Sequence, residues 1–119
     1  MVSIYGLTNC DTTKAAIKWL KGKNKAFTLH DYKTLGITAE KLETWLEEVP
    51  QEKLLNKKST TWRGLDATAQ ATAATQPGAI ELMQANTSLI KRPLIEWPDG
   101  SITVGYDENL LEEKIKGSS

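Results

Sequence analysis

The sequence predicts an α/β fold in which a mixed four-stranded sheet carries helices on its faces. Two observations support this prediction. A strand, a tight loop, an amphipathic helix and a second strand follow one another from Met1 to Tyr32, which is a βαβ unit with parallel strands. At the other end of the chain, two short β-prone segments flank the turn Pro98-Asp99-Gly100-Ser101 and precede a last helix,. The predicted order is therefore β-α-β, a helical block, then β-β-α.

The first half of the βαβ unit is defined by apolar spacing. Val2 to Tyr5 is a short β-prone run, and a helix is predicted from Asp11 to Lys21,. Its apolar residues recur at i, i+3 and i+4, and they are Ala16, Trp19 and Leu20,. Gly22 ends this helix, and Ala26 to Tyr32 is the second predicted strand,.

The middle of the chain lacks strand patterns and is predicted to be a helical insertion over about 35–86. Helices are predicted from Thr38 to Val49, from Trp62 to Ala74 and from Pro77 to Asn86, with a loop over Asn56 to Thr61,. The late strands are predicted over Pro93 to Trp97 and Ile102 to Tyr106, and Asp107 is the expected N-cap of the last helix,. The whole of 1–119 is predicted to form a single domain containing this insertion.

Composition excludes several classes of function. Fifteen basic and fifteen acidic residues cancel, so nucleic acid is not an expected partner. One cysteine and one histidine exclude an internal disulfide, a C-x-x-C pair and a four-ligand zinc site, and we expect neither metal nor nucleotide. There is no secretory pattern and no apolar run of about 20 residues. We therefore expect a cytoplasmic monomer, away from membranes, with a reduced thiol.

Cys10 is the main candidate for chemistry because it lies between a strand and the first turn of a helix. Free N–H groups and the helix dipole at that position lower a thiol pKa and make sulfur nucleophilic. A buried structural cysteine is the alternative interpretation. Thr13 occupies the place of a second cysteine in a dithiol enzyme. Its hydroxyl either donates to the thiolate or satisfies a backbone group in the first turn, so chemistry at Cys10 would need an external thiol.

A second motif, Lys91-Arg92-Pro93-Leu94, precedes the third predicted strand. Proline restricts Arg92 to an extended conformation, and the Arg92–Pro93 bond can be cis. The alternative is an edge-strand proline beside two solvated charges.

Three segments together resemble the ArsC/Spx/YffB family, and the YffB branch most closely. They are Asn9 to Ala15 (NCDTTKA), Thr60 to Leu65 (TTWRGL) and Lys91 to Leu94 (KRPL). The resemblance covers nearly the whole chain and implies a thioredoxin-like fold with an inserted helical subdomain.

The same resemblance implies that Cys10 is the redox nucleophile. Arg92 would stand near the sulfur before a cis Pro93 and stabilise the thiolate and bound oxyanions, as a planar guanidinium does. Glutathione is the implied co-substrate, with Thr13, Arg63, Arg92 and Pro93 as binding candidates, and glutaredoxin is a possible protein partner. For Arg63 the alternative is a solvated arginine at a helix start.

The chain departs from glutathione-coupled arsenate reductases at three positions. Those enzymes resemble this chain but carry histidine where Gly6 stands, and arginines where Asn56 and Gly105 stand. Losing two oxyanion-binding arginines argues against arsenate reduction. Enzyme status therefore stays open among a glutathione-dependent monothiol reductase, a non-catalytic Spx-like interaction protein and a true arsenate reductase, in that order of preference.

Overall fold

The computed structural model describes residues 2–118, with side chains for residues 2–116. The contacts divide it into two compact units. The first comprises the residues up to Leu35 together with those from Arg92 onward, and the second comprises Gly36–Lys91. The helical insertion is predicted over about 35–86, and the second unit runs on to Lys91.

The first unit contains a mixed four-stranded sheet in the order β2-β1-β3-β4. Strands β1 (Val2–Gly6) and β2 (Phe27–Asp31) are parallel, whereas β3 (Leu94–Glu96) and β4 (Ile102–Val104) pair antiparallel. Helix α1 (Asp11–Gly22) connects β1 to β2, and α8 (Glu108–Ser118) follows β4. This is the predicted thioredoxin-like sheet, and the fold prediction is confirmed.

One face of the sheet forms the apolar core of the first unit. Ile4 pairs in register with Leu29 on one side and Ile95 on the other, so these side chains point to the same face,. The helices contribute the other half of the core, with Ala16 and Leu20 from α1 and Leu111 from α8. The helical spacing read from the sequence therefore selects the residues that α1 buries.

The opposite face is aromatic and polar near the ends of β1 and β2. Tyr5 pairs with His30 in the register, and their ring centroids lie 4.8 Å apart. The Tyr5 hydroxyl donates a hydrogen bond of 2.8 Å to Glu96 on β3.

The second unit is helical, as predicted, but its segmentation differs. Its elements are α3 (Ala39–Glu48), α4 (Gln51–Leu54), α5 (Thr60–Arg63), α6 (Ala67–Thr72), α7 (Gln76–Ala85) and a 3-10 turn (Thr87–Leu89). No helix in residues 2–118 is long and apolar enough to cross a membrane.

Strands β3 and β4 are shorter than predicted, since β3 is confined to Leu94–Glu96 and β4 ends at Val104 instead of Tyr106. Three further predicted boundaries are wrong, and capping explains each of these three. The single helix from Trp62 to Ala74 is two helices, because α5 ends at Arg63 with Gly64 as its C-cap, and Asp66 starts α6 by accepting from Ala69 N,. The loop predicted to reach Thr61 ends earlier, because the Ser59 hydroxyl caps α5. Tyr32 begins the short helix α2 (Tyr32–Leu35) instead of ending β2, and the Asp31 carboxylate accepts from Lys33 N in that turn,.

Candidate active site around Cys10

Cys10 is the N-cap residue of α1, in extended conformation after the loop that leaves β1. The loop is closed by a hydrogen bond of 3.1 Å from Cys10 N to Leu7 O, and Lys14 N donates to Cys10 O. The side chain is half-buried, so the sulfur is accessible. The sequence therefore places the thiol at the positive end of a 12-residue helix,, and the fully buried structural cysteine is not observed.

Thr12 was not among the residues singled out from the sequence, and it contacts the sulfur directly. Its Oγ1 lies 3.1 Å from Cys10 Sγ and also 3.1 Å from the carbonyl oxygen of Arg92. A hydroxyl has one proton, so it donates to only one of these acceptors at a time. With a thiol, S–H donates to Thr12 and Thr12 donates to Arg92 O; with a thiolate, Thr12 donates to sulfur. The one feature of the sequence that could have pointed to this contact is a hydroxyl two residues after a cysteine that caps a helix.

Thr13 lies fully buried beneath the cysteine, and its Oγ1 has no hydrogen-bond partner among the described residues. It does not satisfy a first-turn backbone group, which was the alternative interpretation. A buried hydroxyl without a partner costs about 1–3 kcal/mol. The Cys10 side chain makes no capping hydrogen bond, but the Thr13 N–H and hydroxyl are near enough to the sulfur to favour its ionised form. Ionisation of Cys10 would therefore satisfy the Thr13 hydroxyl.

Arg92 approaches the same sulfur from the beginning of β3. Its guanidinium is among the hydrogen-bond donors that favour the Cys10 thiolate, and the Arg92–Pro93 peptide bond is cis, as the resemblance implies. Pro93 is buried and precedes β3, which is an internal strand between β1 and β4. The edge-strand interpretation of Arg92-Pro93 is therefore wrong.

These contacts lower the pKa of Cys10 from 9.0 to about 6. Partial burial is the largest single effect and opposes ionisation,. The hydrogen bonds outweigh it together; in decreasing order they come from the Thr12 hydroxyl, Thr13 N–H, Thr13 hydroxyl and Arg92 guanidinium. The exposed Asp11 carboxylate is not among the groups that shift this pKa. At neutral pH the sulfur is therefore mostly thiolate, the reactive form.

Arg63, the weaker candidate, is the last residue of α5 in the second unit. The Cys10 pKa depends on residues of the first unit, so the geometry of the thiol does not involve Arg63. Its role in binding stays a prediction. No group of three metal-ligating side chains occurs in residues 2–118.

The three departures from glutathione-coupled arsenate reductases each have a local structural reason. A Cβ at Gly6 would lie 2.5 Å from Thr13 Oγ1, so no side chain fits there while Thr13 keeps its place. Gly105 has φ of +90°, which disfavours arginine,. Asn56 holds a turn, since its side chain accepts from Lys58 N at 3.1 Å and its N–H donates to Leu89 O at 2.7 Å.

Known proteins with similar sequences and structures extend this picture. An uncharacterized protein of Haemophilus influenzae is 38% identical over 108 residues, covering 91% of this chain and 93% of that protein. A solved structure of a YffB protein matches with a TM-score of 0.90 and 38% identity, covering 96% of this chain and 98% of the other. An arsenate reductase (ArsC) related protein from Brucella melitensis matches with a TM-score of 0.73 and 42% identity, covering 97% and 94%.

The family model described as the ArsC family matches residues 5–113. That range contains Cys10, Arg63 and the Arg92–Pro93 bond. The chain therefore belongs to the ArsC family of thiol oxidoreductases.

Proposed function

We propose that this protein is a glutathione-dependent monothiol reductase that works through a mixed disulfide at Cys10. The observation that carries the proposal is the acidic thiol, whose pKa of about 6 is produced by donors from Thr12, Thr13 and Arg92. A thiolate at neutral pH attacks disulfide sulfur, and the groups that stabilise it also stabilise it as a leaving group.

The proposed cycle has two exchange steps. The Cys10 thiolate attacks the glutathione sulfur of a mixed disulfide between glutathione and an acceptor, forming Cys10–S–S–glutathione and releasing the acceptor thiolate. A second glutathione thiolate then attacks the glutathione sulfur of that intermediate, which releases oxidised glutathione and regenerates the Cys10 thiolate. The thiol proton that the second glutathione loses passes through water to the released acceptor thiolate. Over the two steps, one disulfide is reduced and one is formed.

The second thiol has to come from outside the protein. Cys10 is the only cysteine of the chain, and the position three residues later is a threonine that cannot resolve a mixed disulfide. Glutathione is the small thiol implied by the resemblance, and its carboxylates match the planar donors of arginine. We assign Arg92 to the sulfur end of the bound glutathione, with Thr13 and Pro93 beside it, and we keep Arg63 as the glutathione-binding candidate that the resemblance implies.

The test is to expose the protein to oxidised glutathione and to measure the Cys10 adduct by mass spectrometry, with Cys10→Ser as the blank. Reaction with the uncharged 2-hydroxyethyl disulfide separates recognition of glutathione from reactivity of the thiol. We expect Arg63→Gln to slow the reaction with oxidised glutathione several-fold and to leave the reaction with 2-hydroxyethyl disulfide unchanged. Equal slowing of both, or of neither, would refute the assigned role of Arg63.

The same experiment separates the competing functions. A thiol that titrates like an ordinary exposed cysteine and forms no glutathione adduct would contradict the reductase and favour an Spx-like interaction protein. Arsenate reduction is not expected, because Gly6, Asn56 and Gly105 are each required by the local structure and supply no cationic donor. Turnover of arsenate coupled to glutathione and glutaredoxin would overturn that expectation.

A further inference from the structure

The Tyr32 hydroxyl is the second buried polar group in the described residues that lacks a hydrogen-bond partner, besides Thr13. Tyr32 is 2% exposed, so bulk water does not reach the hydroxyl. Its ring lies 6.3 Å from that of Tyr5 and 6.1 Å edge-on from that of His30. These rings pack beside Tyr32, and its hydroxyl oxygen can accept a hydrogen bond from a donor at this edge,.

The strand register places Arg92 and Tyr32 just beyond the ends of β3 and β2, at the same edge of the sheet. Tyr5 pairs with Leu94, two residues after Arg92, and with His30, two residues before Tyr32. Tyr32 already belongs to α2, and its ring lies beside those of Tyr5 and His30, while Arg92 is near enough to act on it electrostatically. Arg92 and Tyr32 therefore flank the end of β1 from opposite sides, roughly two strand spacings or 10 Å apart, a span within reach of an arginine side chain.

A charge on the face of the sheet that carries Tyr5 suits a guanidinium. Glu96 lies on the same face and accepts from the Tyr5 hydroxyl at 2.8 Å. Burial raises the pKa of Tyr32 well above its ordinary range, and the charged or ionisable groups that act on it are Tyr5, Arg92 and Glu96. Tyr32 is therefore a neutral hydroxyl, and its oxygen has lone pairs available to an N–H donor.

We propose that Tyr32 is a positioning residue for Arg92, whose guanidinium moves from the Cys10 sulfur to the Tyr32 hydroxyl oxygen and the Glu96 carboxylate whenever that sulfur carries no charge. This inference rests on the proposed function only for the point in the reductase cycle at which the exchange occurs. Protonation or any chemical capping of Cys10 triggers the same exchange.

The exchange follows from the donor inventory of arginine. A guanidinium has five N–H donors and a permanent charge, and a neutral disulfide at Cys10 removes its anionic acceptor. Binding of one N–H to Tyr32 oxygen removes the penalty of a buried group without a partner. In the proposed cycle Arg92 waits at this second position in the mixed disulfide and returns to the sulfur as the Cys10 thiolate leaves.

The test is Tyr32→Phe, which keeps the ring and removes only the unpaired hydroxyl. Tyr106→Phe is the matched control, because the Tyr106 hydroxyl is exposed and bonds Glu108. In Tyr32→Phe the guanidinium loses the Tyr32 hydroxyl as an alternative acceptor, so Arg92 stays with the Cys10 sulfur. We expect the equilibrium constant for ionisation of Cys10 to rise about fivefold in Tyr32→Phe, the effect of one ordinary hydrogen bond, and to stay unchanged in Tyr106→Phe.

Arg92→Ala distinguishes positioning from a direct or merely structural effect. In that background Tyr32→Phe is expected to leave Cys10 ionisation unchanged. An unchanged equilibrium in Tyr32→Phe alone, or a change that persists in the Arg92→Ala background, would overturn the proposal.

A measurement on the unsubstituted protein covers the case in which the variants do not fold. Methyl methanethiosulfonate caps the Cys10 thiolate as a methyl disulfide and releases methanesulfinate. We expect the nitrogen resonances of the Arg92 guanidinium and the Cζ resonance of Tyr32 to shift together on capping; a Tyr32 signal that does not move contradicts the exchange. The reagent does not depend on glutathione, so a protein that shows the exchange but rejects oxidised glutathione would refute only the proposed function.

Discussion

Replacing Thr12 by valine tests the origin of the acidic thiol most directly, because the Thr12 hydroxyl is the largest of the contributions that lower the Cys10 pKa. Valine keeps the shape of the side chain and removes the donor that lies 3.1 Å from the sulfur. A hydrogen bond to a charged group contributes about 1.5–3 kcal/mol. Because Cys10 is only partly buried, solvent screening reduces that contribution, and we use about 1.4 kcal/mol, a tenfold change in the ionisation constant.

A weaker acid also gives a more nucleophilic thiolate, and the two effects oppose each other. With a Brønsted coefficient of about 0.4–0.5, a tenfold weaker acid reacts about threefold faster as the thiolate. Starting from a pKa of about 6, the variant should react at about a third of the native rate at pH 5, where few sulfurs ionise. At pH 8, where nearly all are ionised in both proteins, it should react about two- to threefold faster.

The assay is the rate of mixed-disulfide formation with 2-hydroxyethyl disulfide from pH 5 to pH 9, followed by mass spectrometry. Thr44→Val on α3 is the control, since the Thr44 hydroxyl is exposed and donates to Glu40 O within its own helix. Two outcomes would refute the assignment of the acidic thiol to this hydrogen bond. In one, the rate profiles of both variants cross the native profile; in the other, the Thr12→Val profile never crosses it.

Three further predictions concern the frame of the site. Gly6→Ala should lower the free energy of unfolding by about 1–3 kcal/mol, because the new Cβ meets Thr13 Oγ1 at 2.5 Å,. This loss of stability should shrink in a Thr13→Ala background, where the nearest remaining atom is at 3.3 Å. An equal loss in both backgrounds would contradict the clash. Gly105→Ala should lower the free energy of unfolding by about 1–2 kcal/mol, because alanine is strained at the positive φ of this position,. Gly22→Ala is the control and should not destabilise the protein, since its new Cβ meets no atom within 4 Å. Chemical denaturation measures both variants, and an unchanged stability of Gly105→Ala would count against the strain. Because the Cys10 pKa is lower in the folded chain, the unfolded chain binds more protons between pH 6 and pH 9,. The difference in unfolding free energy between the native protein and Cys10→Ser should therefore grow with pH across that window, by on the order of 1 kcal/mol for a partly exposed group, and a flat difference would argue against a lowered folded-state pKa.

Local signals in the sequence were sufficient for the order of elements and for the position of the thiol. The apolar spacing of α1 and the turn before β4 each depend on residues a few positions apart. In the structure the same residues form that helix and that turn. The same locality explains the errors. Whether Tyr32 ends a strand or starts a helix depends on the Asp31 carboxylate competing for a backbone N–H, and a pattern of apolar residues does not record that competition.

The reactivity of Cys10 was only half contained in the sequence. Its place at a helix start, which favours a thiolate, follows from the first 22 residues. The Thr12 bond to Arg92 joins residues 80 positions apart, and the Tyr5 bond to Glu96 joins residues 91 apart. Such pairings require the antiparallel register of β1 and β3, which no local pattern specifies.

By itself, then, the sequence determined a βαβ unit, a helical insertion and a lone thiol at a helix N-terminus, because hydrophobic period, capping residues and residue counts are local quantities. Only the tertiary structure decided that Thr12 and Arg92 meet at the sulfur, that Gly6 is required by Thr13, and that the Tyr32 hydroxyl lies without a partner at the same sheet edge as Arg92. The physical reason is that hydrogen bonds and burial depend on distances in space, and folding brings together groups that the chain separates by most of its length.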